Sequence, residues 1–161
     1  MFESIEAFAA ALEASALAKA LKFSPWAYSV VNTAHVIGVA MLFGAVLPMD
    51  LRLMGLWGRT DRTDVVRVLF PIAAIGLAIA LCAGVMLFSV RAENYAQISL
   101  FVWKFALIGV GGGLALFFHA RAGLYVERAS ARTAFFHGAA SLACWTGALV
   151  AGRMIAYFPY L

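Results

Sequence analysis

Four apolar runs, at residues 27–49, 68–90, 101–119 and 134–158, decide what this chain can fold into. The first two carry no Asp, Glu, Lys or Arg, the third carries only Lys104 and the fourth only Arg153. As helices, runs of this length reach roughly 28–38 Å, which brackets the apolar thickness of a bilayer. Lipid offers the backbone no hydrogen-bond partner, so each run must satisfy its own N–H and C=O groups as a helix. The runs are continuous rather than alternating, which argues against barrel strands.

Composition closes the alternatives. Apolar residues make up 65% of the 161 and charged residues 12%. That leaves too few polar groups to cover a water-facing surface and too much apolar surface for a disordered chain. The expected fold is all-α and integral to a membrane. It is an up-down bundle of four transmembrane helices forming a single domain over 1–161.

An N-terminal segment precedes the bundle. Residues 2–22 carry Glu3, Glu6, Glu13, Lys19 and Lys22, with Phe2, Ile5, Phe8, Ala9, Leu12 and Ala16 at helical spacing. This pattern predicts an amphipathic helix lying in the membrane interface. The segment lacks the positive start of a signal peptide, so no cleavage is expected. Ser24-Pro25 reads as an N-cap followed by a first helical residue.

The net charge of +4 does not point to nucleic acid, because the basic residues flank the apolar runs. Arg52, Arg59, Arg62 and Arg67 fall in one connection and Arg121, Arg128 and Arg132 in another. The positive-inside rule places both connections in the cytoplasm and both termini in the periplasm of a bacterial inner membrane. Trp26, Tyr28, Tyr95, Trp103, Tyr157 and Tyr160 then mark the outer interface, and Trp57 and Tyr125 the inner one. Cys82 and Cys144 lie within apolar runs and form neither a CxxC pair nor a disulfide framework.

Polar groups inside lipid are costly, so each is a functional candidate. His35, His119, His137, Lys104 and Arg153 are the candidates for binding a cofactor, and the three histidines for binding a metal. His35 shares a helical face with Asn32 and Gly38, an arrangement that suits a flat ring with Asn32 as a supporting hydrogen-bond partner. His119 and His137 fall at the same end of antiparallel spans, the geometry of a bis-histidine b haem. Three histidines limit the chain to one such haem, and ligand count favours the His119–His137 pair over His35. Lys104 and Arg153 either reach up to the interface or meet an acidic group such as a haem propionate. The glycines 109, 111, 112 and 113 predict close helix packing or clearance for a cofactor. His35 with Cys82 and Met86 would make a soft copper(I) site. Asp50 is expected to pair with an arginine such as Arg121.

Two stretches, His35-Val36-Ile37-Gly38-Val39-Ala40 and Asp50-Leu51-Arg52-Leu53-Met54-Gly55, carry a resemblance. So do the segment 101–107 and the closing 151–158. The chain resembles a family of small four-helix bacterial inner-membrane proteins. That likeness implies the fold and the location but no particular activity. More loosely, the layout is similar to membrane domains of copper-resistance proteins and to four-helix b-type cytochromes. The roles to be weighed are a haem-binding redox protein exchanging electrons with quinone or a partner, a non-catalytic membrane subunit or anchor, and a copper-handling protein. The second role would need a protein partner or further copies of the chain.

Overall fold

The computed structural model describes the backbone of residues 2–96 and 98–157 and the side chains of residues 7–95, 98–155 and 157. In chain order the helices are α1 (Phe2–Glu13), α2 (Ala16–Phe23), α3 (Pro25–Leu53), α4 (Arg62–Ser89), α5 (Ala92–Ala96), α6 (Ser99–Ala122) and α7 (Ala131–Tyr157). Four of them, α3, α4, α6 and α7, are long and apolar enough to cross a membrane. The expected outer-belt residue Tyr160, and Phe158 at the end of the fourth apolar run, lie outside the described residues.

Local chemistry sets the helix ends. Ser24 Oγ accepts from the Ala27 N–H at 3.2 Å and starts α3 at Pro25, as the sequence predicts. Asp61 caps α4 by accepting from the N–H groups of Thr63 at 2.7 Å and Asp64 at 3.2 Å. Those N–H groups hold the Asp61 carboxyl below the usual carboxylate range. The cap lets α4 begin at Arg62, six residues before its apolar run.

The N-terminal segment is two helices rather than one. Ser15 is extended (φ −63°, ψ 153°) and its side chain accepts from the Ala18 N–H, so it ends one helix and caps the next. Alanine-rich sequence favours an unbroken helix, but this local bond competes with it. The two helices do not lie apart from the bundle. Ala9, Ala18 and Leu21 are buried. α1 packs on α5, and α2 packs on α3 and α4. Glu13 pairs with Lys22 at 3.1 Å across the break.

The spans pack in the order α4–α3–α7–α6. The α3–α4 contact is the most intimate. A Cβ on Gly38 would sit 2.6 Å from the Ala80 nitrogen, and one on Gly76 would sit 2.5 Å from the Leu42 nitrogen. Backbone therefore meets backbone, and only glycine fits at either position. Among the described residues α4 and α6 do not pack against each other as helices. Aromatic side chains bridge them instead. Phe70 reaches His119 at 4.5 Å between ring centroids near one end, and Phe88 stacks on Phe101 at 5.0 Å near the other.

The main core lies toward the arginine-rich end and includes Leu42, Val46, Met49, Leu53, Val66, Phe118, Val126 and Trp145. Trp145 is seated by Gly111, where an added Cβ would come 3.3 Å from the indole. The other three glycines of that cluster, Gly109, Gly112 and Gly113, have nothing within 4 Å of an added Cβ. Backbone-to-backbone packing thus falls on Gly38 and Gly76 and, between α3 and α7, on Gly138, while within the α6 cluster only Gly111 is closely packed.

Replacing Gly38 or Gly76 by leucine is expected to destabilise the fold by at least about 2 kcal/mol, the scale of an overpacked core. Gly109→Ala and Gly113→Ala should be tolerated. Thermal unfolding of the purified variants in one detergent checks the contrast.

Candidate functional site

His35 projects from α3 onto α4. Its Nδ1 lies 2.8 Å from the Ala80 carbonyl oxygen and donates to it. The ring lies over Gly84, where a Cβ would come within 3.1 Å of His35 Cε1. This fixes the tautomer: the proton is on Nδ1 and Nε2 keeps its lone pair, the arrangement that metal-ligating histidines use. The partner is a backbone carbonyl and not Asn32, which is exposed and takes no part. Asn32 lies three residues before His35, but α4 meets only part of the face they share.

Lys104 enters the same half of the bundle from α6. Its stem lies along α7 at Gly152, where a Cβ would sit 3.3 Å from Nζ and 3.4 Å from Cε. It is also close enough to act electrostatically on His35. Among the described residues no carboxylate pairs with Lys104. Arg153 behaves differently. It donates to the Tyr157 hydroxyl at 2.6 Å, and its guanidinium lies 4.7 Å from that ring's centroid. Arg153 is exposed and turned toward the helix end, so of the two cations only Lys104 lies with His35.

Toward the arginine-rich end, His119 and His137 come to one level, as their sequence depths predict. His119 Nδ1 donates to the Leu124 carbonyl at 2.8 Å. The buried Phe118 ring stacks on His137 at 3.8 Å and 13°, and Phe70 lies against His119. The two imidazoles are therefore members of an aromatic cluster, with the face of His137 already covered.

Cys82 is exposed, while α4 meets His35 through Ala80 and Gly84. The expected grouping of His35 with Cys82 and Met86 does not form, because residue 82 turns away from the face that carries 80 and 84. Among the described residues no three His, Cys, Asp or Glu side chains converge on a point.

Asp50 is fully buried, and neither carboxylate oxygen has a hydrogen-bond partner. The expected ion pair with Arg121 is absent. Arg121 is exposed and lies 5.0 Å from the Phe117 ring centroid. Asp50 faces α7 instead of α6. The buried Ser141 hydroxyl lies near the carboxylate, outside hydrogen-bond geometry. Gly138 lets the two backbones close, since a Cβ there would sit 2.7 Å from the Asp50 carbonyl oxygen. The glycines that seat these groups, Gly84, Gly138 and Gly152, escape a reading of ionisable residues alone. The small-residue stripe Ala73, Gly76, Ala80 and Gly84 on the second run is the signal that points to the α3–α4 seam.

Fold and site together define a multi-pass α-helical membrane protein with isolated polar groups between its spans. No family model, curated protein or solved structure matches the chain.

A carboxylate buried without donors costs several kcal/mol, so the neutral amide should be accepted at this position. Asp50→Asn is expected to unfold at the wild-type temperature or above it. A clearly lower midpoint would mean that the carboxylate has a donor in the folded protein.

Proposed function

We propose that this is a membrane redox protein that holds one b-type haem through His35 and exchanges electrons with quinone or a protein partner. The observation that carries this reading is the Nδ1–H bond from His35 to the Ala80 carbonyl, which leaves Nε2 free to bind iron. Lys104, unpaired with any described carboxylate, supplies the positive charge that haem propionates need. A bound haem would contribute one-electron chemistry, and the chain's part is to hold it and tune its charge environment. His119 makes the same kind of Nδ1–H bond, to the Leu124 carbonyl, and His35 is favoured over the His119–His137 pair because Lys104 lies in its half of the bundle. Any further ligand to the iron would come from a methionine or from a partner.

A second reading, a membrane subunit that anchors a partner, is favoured by α6. Little of that span is buried, and its open glycines face away from the other helices. Under either reading the arginine-rich connections lie in the cytoplasm of a bacterial cell and both termini in the periplasm.

Purified from cells with ample haem, the protein is expected to show a reduced b-haem spectrum that His35→Ala abolishes and His119→Ala and His137→Ala preserve. Loss in both of the latter, with His35→Ala retained, would move the haem to the other end. A colourless protein would leave the anchor reading. The orientation has its own test. A reporter fused after residue 161 should signal from the periplasm and one inserted near residue 60 from the cytoplasm, and the reverse pattern refutes it.

A further inference from the structure

A cavity of about 680 Å³ opens at the arginine-rich end, between the last turn of α3, the start of α4 and the first turns of α7. Arg52, Arg62 and Arg132 line it. Arg52 commits its Nε to the Thr60 carbonyl at 2.7 Å, and Arg62 commits one Nη2 hydrogen to the Ala129 carbonyl at 2.6 Å. These bonds hold the two guanidiniums in place and leave N–H groups on each unassigned. Arg132 approaches only the Phe136 ring, at 5.9 Å. Two carboxylates share the cavity; each accepts backbone N–H bonds, and Asp61 also acts electrostatically on Arg52. Asp61 caps α4, and Glu127 accepts from the Tyr125 N–H at 3.2 Å. Among the described residues neither forms an ion pair with any of the three arginines.

The walls change character with depth. Phe135 lies about one helical turn, ~5 Å, from Arg132 toward the middle of the span, and it is exposed. Leu53 and Met54, which follow Arg52 at the end of α3, line the cavity at the level of the arginines. Cationic donors with apolar side chains beside them and the Phe135 ring beneath match one kind of ligand, an anionic head joined to an apolar tail. A cavity of this size is also ample for such a head.

We propose that this cavity binds the phosphate headgroup of an anionic phospholipid, with Arg52, Arg62 and Arg132 as donors and the acyl chain descending past Phe135. A soluble anion would make the same guanidinium contacts but would gain nothing from the apolar wall. The site is independent of the haem reading, because it lies at the opposite end of the spans from His35.

The test uses the full chain in neutral-detergent micelles doped with phosphatidylglycerol or phosphatidylcholine, or supplemented with inorganic phosphate alone. Phosphatidylglycerol is expected to raise the thermal midpoint and to remain bound in native mass spectrometry. Arg132→Gln and Arg52→Gln should each weaken its binding about fivefold, the scale of one basic residue near an anionic surface. Arg59→Gln, the same charge change at an exposed position outside the cavity, should leave binding unchanged. Arg132 is exposed with no backbone bond to lose, so its variant carries the test if Arg52→Gln does not fold. Equal protection by phosphatidylcholine, equal protection by inorganic phosphate without lipid, or an Arg59→Gln loss matching that of Arg132→Gln would each overturn the proposal.

Discussion

Gly38 and Gly76 bring two membrane helices into backbone contact, and the arrangement of the remaining polar groups depends on that approach. In lipid the burial of apolar surface does not drive helices together, so association relies on close packing and on hydrogen bonds between helices. The α3–α4 seam uses both. Paired glycines remove the side chains that would hold the helices apart. One helical turn before Gly38 in sequence, His35 spans the gap and donates to the Ala80 carbonyl. A larger residue at position 76 would move Ala80 away and take with it the bond that sets the His35 tautomer.

The two halves of the bundle are built differently. Toward the arginine-rich end, Leu42, Val46, Phe118 and Trp145 interlock as a core. Toward the termini, the space between spans holds His35, Lys104, Gly84 and Gly152. There the small residues are covered by their neighbours, Gly84 by the His35 ring and Gly152 by the Lys104 stem. Phe88, Tyr95 and Phe101 stack across the gap between α4 and α6 near that end, and burial raises the Tyr95 hydroxyl above its ordinary range.

Each ionisable group between the spans meets the cost of leaving water in its own way. His35 uses a carbonyl of the neighbouring helix, and Arg153 turns to a tyrosine hydroxyl at its helix end. Asp50 does neither, and stays enclosed beside Ser141 with both oxygens unsatisfied. Buried polar groups without partners are rare enough in folded proteins to ask for an explanation. Its position beside the close α3–α7 contact at Gly138 ties it to the packing of that seam.

The sequence by itself determined that four helices span a membrane, roughly where each begins, and which connections carry the arginines. These properties depend on residues near one another in the chain: apolar run length, N-caps such as Ser24 and Asp61, and loop charge. It also brought His119 and His137 to one level, because helical rise converts sequence distance into depth. Only the tertiary structure decided which faces meet. Helical spacing groups Asn32 with His35, but rotation about the helix axis turns His35 to α4 and leaves Asn32 exposed. The same rotation points Cys82 outward. What Asp50 faces depends on α3 lying against α7 and not α6, an order that antiparallel connectivity allows but does not impose. Among the glycines, the run at 109–113 is conspicuous in sequence, yet the single glycines at 38 and 76 make the closest contact. A glycine's role is set by what stands opposite it, and that belongs to another part of the chain.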